Sequence, residues 1–306
     1  MENSVFQKEV ESHIVLGYKC NHNCMHCVVK IKRIYSEEKN TENLSKDEAM
    51  AAVETAIEKG ATKIVFTGGE PTLREDLPGL VLYCIEKGCG VQIQTNGSMT
   101  EQIKEICSCC AECSEMLEFM IPIHSTNAER NDYICRSNNG FKQARESIEF
   151  IARAGVKIIG KIVLTKFTDN LSDICKFYEE AGASSIIVAY PHCVSFPVDI
   201  IRKVDLKRED TRKIFEEFYQ NEFSIPIILQ AFPRCFVGEY SNIIIQEEQE
   251  DYLALEILEH QFRTEDGKKW HTFRKLDKRK FTNCAFCKYN DNCEGIWKDY
   301  IKAYGN

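Results

Sequence analysis

Ile14-Val15-Leu16-Gly17-Tyr18-Lys19-Cys20-Asn21-His22-Asn23-Cys24-Met25-His26-Cys27 is the stretch from which the rest of this chain can be read. A short apolar run leads into three closely spaced thiols, Cys20, Cys24 and Cys27. Three thiolates at this spacing suit three corners of a [4Fe–4S] cluster, whose closed form takes four protein ligands. The fourth iron is then open, in the sense that a catalytic metal keeps a vacant position where a structural one does not. The same i, i+4, i+7 spacing also lines one face of a helix, where the three would be ordinary buried cysteines. His22 and His26 lie inside the loop, where they could shield a cluster or hydrogen-bond a sulfur; neither is needed as a ligand.

About forty residues on stands Lys63-Ile64-Val65-Phe66-Thr67-Gly68-Gly69-Glu70-Pro71, a strand running into two glycines, a carboxylate and a proline. Glycines there let backbone approach a ligand closely, and the proline fixes the exit from the turn. With both motifs in this order, the chain resembles the radical S-adenosylmethionine (SAM) superfamily, whose marks are a C-x3-C-x2-C loop after the first barrel strand and a Gly-Gly-Glu segment after the second.

The periodicity agrees with the fold that the resemblance implies. Residues 12 to 190 alternate strand-like runs (13–19, 63–67, 91–95, 119–124, 156–165 and 185–190) with helical patterns, which implies β/α units and a parallel sheet. Six such units fit a partial (β/α)6 TIM-type barrel over residues 1–200, followed by a small cysteine-rich extension over 201–306. Ser45 three residues before Glu48 forms a capping box ahead of an amphipathic helix, and Gly60, Gly88, Gly155 and Gly182 suit the residue after a helix end. In parallel barrels the chemistry collects at the carboxyl ends of the strands. The Cys20 loop, Gly68-Gly69-Glu70, Thr95-Asn96-Gly97, His124-Ser125 and Pro191-His192-Cys193 all fall there.

The resemblance implies that Cys20, Cys24 and Cys27 ligate a SAM-binding [4Fe–4S] cluster and that Gly68, Gly69 and Glu70 hold the methionyl amino group of SAM. One electron then gives a 5′-deoxyadenosyl radical, which takes hydrogen from an unactivated carbon. Peptide-modifying members carry a serine after the fourth strand and an arginine further on, before a Gly-x-Phe turn. Ser125, Arg136 and Gly140-Phe141 match that layout, although Thr126-Asn127 and Asn131-Asp132 stand where the family has Asp-Gly and His-Asp. An arginine fork suits a carboxylate; a solvent-facing Arg136 is the alternative. Asn96 is a candidate for the ribose, or a turn residue before Gly97. Cys193 should face the barrel mouth, as a hydrogen-atom donor to a carbon radical or as a small lining residue.

Cys284, Cys287 and Cys293 form C-x2-C-x5-C, and Cys235 stands upstream. Four such thiolates suit one closed [4Fe–4S] cluster or a tetrahedral zinc. The tail resembles a trimmed SPASM or twitch extension, which implies one auxiliary [4Fe–4S] cluster; no cysteine follows Cys293 to build a second. Cys107, Cys110 and Cys113 share a predicted helix face and read as half-buried reduced thiols, and Cys84, Cys89, Cys135 and Cys175 receive no role.

Sixteen cysteines without a secretory signal read as metal ligands and free thiols rather than disulfides. No apolar run is long enough to span a bilayer, so the expectation is a cytoplasmic protein. A net charge of −8 argues against a general nucleic-acid binder. The leading expectation is an enzyme that modifies a ribosomally made peptide by cross-linking, epimerisation or oxidation. Its partners would be an electron donor such as a flavodoxin or ferredoxin and, since the barrel begins by residue 13, a separate peptide-recognition protein. The second reading is a small-molecule enzyme acting on a sugar, nucleoside or cofactor precursor. The third, a non-catalytic electron carrier, would have no use for a SAM pocket.

Overall fold

Eight strands, all parallel and in sequence order, form one open sheet that curls into a partial barrel. The structure is a computed structural model and describes residues 10–39, 43–191, 196–238, 244–245, 277–291 and 293–305. The chain runs β1 (Glu11–Val15), α1 (Lys30–Lys39), α2 (Lys46–Glu58), β2 (Lys63–Thr67), α3 (Leu77–Glu86), β3 (Gly90–Gln94), α4 (Thr100–Cys109) and β4 (Leu117–Pro122). It continues through α5 (Ala128–Cys135), α6 (Gly140–Arg153), β5 (Lys157–Val163), α7 (Leu171–Glu180), β6 (Ser185–Ala189), α8 (Val198–Val204), α9 (Arg208–Phe218), β7 (Ile227–Gln230), α10 (Arg234–Val237) and β8 (Ile244–Ile245). Each of the six expected strands is present, and β7 and β8 carry the same sheet past residue 200.

Alternation along the strands sets the two faces of the sheet. On β5, Ile158, Gly160 and Ile162 turn outward into the helix layer; a Cβ on Gly160 would lie 2.7 Å from the Tyr178 ring of α7, so the residue lets that ring lie against the strand. The outward residues of the sheet join the inward faces of α2, α3, α6 and α7 in one apolar core that includes Ile14, Val53, Ile93, Phe119 and Ile148. α2 begins as the Ser45–Glu48 spacing implies, each residue's side chain accepting the other's backbone N–H. That pairing satisfies two amide donors that helix geometry leaves open.

The inward face is polar. Thr67 donates to Gln94, Gln94 to Gln92 and Gln92 to Glu118 at 2.8, 3.1 and 2.7 Å. Lys63 is held 2.9 Å from Glu118 and 3.6 Å from Glu11. These contacts link β1 to β4 across the interior, so the first four strands are locked on both faces.

The tail docks on the end of the sheet. β9 (Lys278–Arg279) pairs antiparallel with β10 (Ile296–Trp297), which leads directly into α11 (Lys298–Tyr304). Trp297 and Tyr300 are buried, Trp297 Nε1 donates to the Ala231 carbonyl at 3.3 Å, and the Tyr300 and Phe236 rings meet edge-on at 5.0 Å. The return of the chain therefore places the tail cysteines beside α10. Among the described residues no helix is long and apolar enough to cross a membrane.

Candidate metal and cofactor site

β1 ends at Val15, short of the expected Lys19, because Gly17 takes a positive φ and turns the chain to bridge with Asn43. The cysteine loop therefore starts from a turn rather than from an extended strand, and it lies directly over Gly68-Gly69-Glu70. The amide of Gly69 donates to the Gly17 carbonyl and that of Glu70 to the Lys19 carbonyl, each at 2.9 Å. A Cβ on Gly68 would collide with the Gly17 carbonyl oxygen and one on Gly69 with the Lys19 carbonyl oxygen. The two glycines are thus required by the backbone of the cysteine loop itself.

Glu70 is 4% exposed and its carboxylate is fully used inside the protein. Oε1 accepts from the Thr72 amide at 3.0 Å, the Thr72 hydroxyl at 2.5 Å and the Thr95 hydroxyl at 2.6 Å; Oε2 accepts from the Asn96 amide at 2.6 Å. Glu70 joins the β2 exit to the β3 exit and fixes both. Asn96 works in the same frame: its Nδ2 donates to Asn21 at 2.8 Å and reaches Cys20 Sγ at 4.0 Å, while its Oδ1 accepts from the Ser98 amide. Asn21 also donates to Ser98 at 2.7 Å.

The far side of the loop is held by α5 and α1. Asn23 and Met25 donate their amides to the carbonyls of Cys135 and Ile134, and Arg33 of α1 donates to the His22 carbonyl at 2.9 Å and to Asn23 at 3.0 Å. Cys135, which received no role from sequence, lies against the loop: the ligand atoms of His22, Cys24 and Cys135 are within 4.8 Å of one another. Neither Arg33 nor Cys135 carries a spacing signal, since both reach the loop only through tertiary packing.

Burial pushes the Cys20 thiol up to about 12, with Glu70, Cys24 and Cys27 adding to the rise and the His22 amide, 3.4 Å from the sulfur, opposing it. Cys24 is raised by its contact with Cys135 and by burial, and Cys27 by burial and then by Cys24. Each sulfur therefore resists ionising beside the other two, which is the environment a cationic iron core would compensate. Among the described residues the three do not all lie within 4.8 Å of one another, as ligands of a single ion would. A cluster binds each thiolate on its own iron and does not ask the sulfurs to converge on one ion.

Ser125 is fully buried at the β4 exit, with its hydroxyl on Asp169 and on the backbone of Asn127; Asp169 is also paired with Arg130. Its hydroxyl is thus engaged within the protein, by the Asp169 carboxylate and by the turn at Asn127. Arg136 caps α5 in the left-handed region and is exposed near Lys30. His26 and His124 are buried and meet edge-on at 4.4 Å. Burial holds His26 down to about 4, and burial, then His26 and Lys161, hold His124 well below the usual imidazole range. Val163 donates to His124 Nδ1 at 3.2 Å, so the neutral ring carries its proton on Nε2. Cys193 lies outside the described residues.

At the tail, burial pushes Cys235 up to about 11, with Cys293, Cys287 and Cys284 adding to the rise and Arg208 opposing it. The four thiols thus share one neighbourhood. The Phe281 amide lies 3.3 Å from Cys284 Sγ and the Gly295 amide 3.4 Å from Cys293 Sγ. A Cβ on Gly295 would collide with the Arg279 carbonyl oxygen, so the glycine lets β10 close on β9 immediately after Cys293. Here too no three ligand atoms lie within 4.8 Å, among the described residues.

A family model described as the radical SAM superfamily matches residues 14–181. Fe-coproporphyrin III synthase from Methanosarcina barkeri (strain Fusaro / DSM 804) is 28% identical over 237 residues, covering 71% of this chain and 56% of that protein. Mycofactocin maturase MftC from Mycolicibacterium smegmatis (strain ATCC 700084 / mc(2)155) is 27% identical over 171 residues, covering 55% of this chain and 41% of that one. The chain spans about half the length of the curated relatives it matches. In fold it is similar to native anSMEcpe with bound AdoMet, at a TM-score of 0.58 and 15% identity over 96% of this chain and 91% of that one.

Proposed function

Because the chain belongs to the radical SAM superfamily, we propose that it cleaves SAM reductively and abstracts hydrogen from a substrate carbon. The observation that carries this reading is the cysteine loop seated on Gly68-Gly69-Glu70, two motifs far apart in sequence and joined here by backbone hydrogen bonds. Cys20, Cys24 and Cys27 would hold a [4Fe–4S] cluster, and the adjoining turn would hold SAM. When bound, cluster and SAM supply a 5′-deoxyadenosyl radical. The protein's own part is positioning and exclusion of water. Gly68 and Gly69 would meet the SAM amino group through backbone, since the Glu70 carboxylate is already satisfied. Asn96 would brace the loop rather than read a ribose, and Arg136, exposed beside the loop, is the cation available for a carboxylate. Cys235, Cys284, Cys287 and Cys293, which share one neighbourhood, would hold one auxiliary [4Fe–4S] cluster in the extension over 201–306.

For the substrate, the peptide reading is supported by the cysteine-rich tail and by the likeness to mycofactocin maturase MftC. The small-molecule reading is supported by the likeness to Fe-coproporphyrin III synthase. A one-electron donor such as a flavodoxin or ferredoxin completes either.

Anaerobic reconstitution followed by reduction with SAM tests the reading. Formation of 5′-deoxyadenosine is expected. Its absence from a preparation with full iron and sulfide content would reject it.

A further inference from the structure

Lys161 sits on the inner face of the barrel. It lies on β5 opposite Pro122 of β4 and Ile187 of β6, with Ile159 and Val163 on the same face, while Gly160 and Ile162 turn outward into the helix layer. Its Nζ donates to Gln230 Oε1, at the carboxyl end of β7. Gln230 is neutral, and among the described residues no carboxylate approaches the ammonium.

The other interior lysine makes the contrast. Lys63 lies within 2.9 and 3.6 Å of two carboxylates, Glu118 and Glu11. An enclosed ammonium without a counter-charge is costly, and the cost falls when an anion arrives. Burial alone depresses Lys161, to about 8, so at neutral pH most of it still carries charge. The titratable group facing it is His124 from the β4 exit, held neutral; Tyr178 of α7 touches only the Lys161 backbone, from the outer face, so neither supplies negative charge to the ammonium.

The position also separates this cation from the cofactor side. Cys20, Glu70 and Asn96 stand at the exits of β1, β2 and β3, whereas Lys161 and Gln230 stand on β5 and β7. We propose that Lys161, aligned by Gln230, is an anion receptor inside the barrel that binds a carboxylate or phosphate group of the substrate. This rests on the reading above that the barrel mouth takes a substrate, and it adds the substrate's charge class. The carbon that loses hydrogen would then be fixed between the cofactor arc and this anchored group.

The test uses the full, anaerobically reconstituted protein with SAM bound. Inorganic pyrophosphate and succinate serve as phosphate and carboxylate probes. Binding is followed by calorimetry, and the protection of Lys161 from acylation by mass spectrometry, with exposed Lys213 of α9 as the internal control. Pyrophosphate, succinate or both should bind, protect Lys161 and leave Lys213 reactive; which probe acts assigns the phosphate or the carboxylate class. Lys161→Gln should weaken binding at least about tenfold, the loss of one charge-assisted hydrogen bond, and Lys161→Arg should restore it. Affinity should hold below about pH 8 and decline above as Lys161 loses its proton.

Absence of protection in the wild-type protein overturns the inference whatever the variants do. So does unchanged binding in Lys161→Gln, or competition between the probe and SAM. The same wild-type preparation is assayed for 5′-deoxyadenosine: if it forms while neither anion binds, only the receptor is rejected, and if it does not form, the functional reading itself is rejected.

Discussion

A Cβ on Gly69 would strike the Lys19 carbonyl oxygen and the Tyr18 backbone, so any side chain there must push the start of the cysteine loop off the β2 exit while leaving the apolar core untouched. Gly69→Ala should therefore fold, with the far-ultraviolet circular dichroism of the parent, but lose most of its SAM-cluster iron, measured by iron and sulfide analysis. Retention of full iron would show that the loop does not depend on this contact. A second prediction concerns acid. Because burial depresses His124 and His26 below 6.5, the unfolded chain takes up protons that the folded chain refuses. Stability of the cluster-free protein is thus complete above about pH 6.5 and falls as pH drops, by about 1.4 kcal/mol per pH unit for each such proton. Urea unfolding between about pH 7 and pH 5 checks this, and His124→Asn should reduce the fall. The three loop cysteines and the two glycines were legible because each motif is contiguous. Thr95 was marked only by its place at a strand exit, and Arg33 not at all; they matter through Glu70 and through the His22 carbonyl, contacts made only when separate segments meet.

Between β5 and α7 the fit is a ring against a bare strand. Gly160→Ala would drive a methyl into the Tyr178 ring, whose hydroxyl donates to the Ile121 carbonyl at 2.7 Å, so the ring has little room to retreat. The expected cost is about 1–3 kcal/mol of unfolding free energy, typical of an overpacked core, measured by denaturant titration. A change inside experimental error would mean that the ring shifts freely. Strand periodicity and the Ser45–Glu48 box gave the sheet and α2 from sequence because they are local devices. β1 ends at Val15 rather than at Lys19, because the apolar run continues while Gly17 turns the chain away. The membership of β7 in the barrel sheet depends on pairing with β6, which no local pattern encodes.

At the level of the whole molecule, two thiol sets occupy opposite ends of the chain and one sheet organises both. The first sits on the exits of β1 to β3, and the second is brought to α10 by the docking of Trp297 and Tyr300. Anaerobically reconstituted protein should hold about eight irons per chain, and Cys235→Ala should lower this toward about four, the content of one remaining cube. About four irons in the parent, accompanied by zinc, would remove the auxiliary cluster. The central claim is narrower: three sulfurs from Cys20, Cys24 and Cys27 leave one iron vertex for SAM. Electron paramagnetic resonance of the reduced protein with SAM labelled by 17O in its carboxylate and 15N in its amino group reads that vertex directly. The account predicts hyperfine coupling from both labels, lost in Cys24→Ala. A reduced cluster whose spectrum shows neither coupling, or one that keeps both in Cys24→Ala, would contradict it.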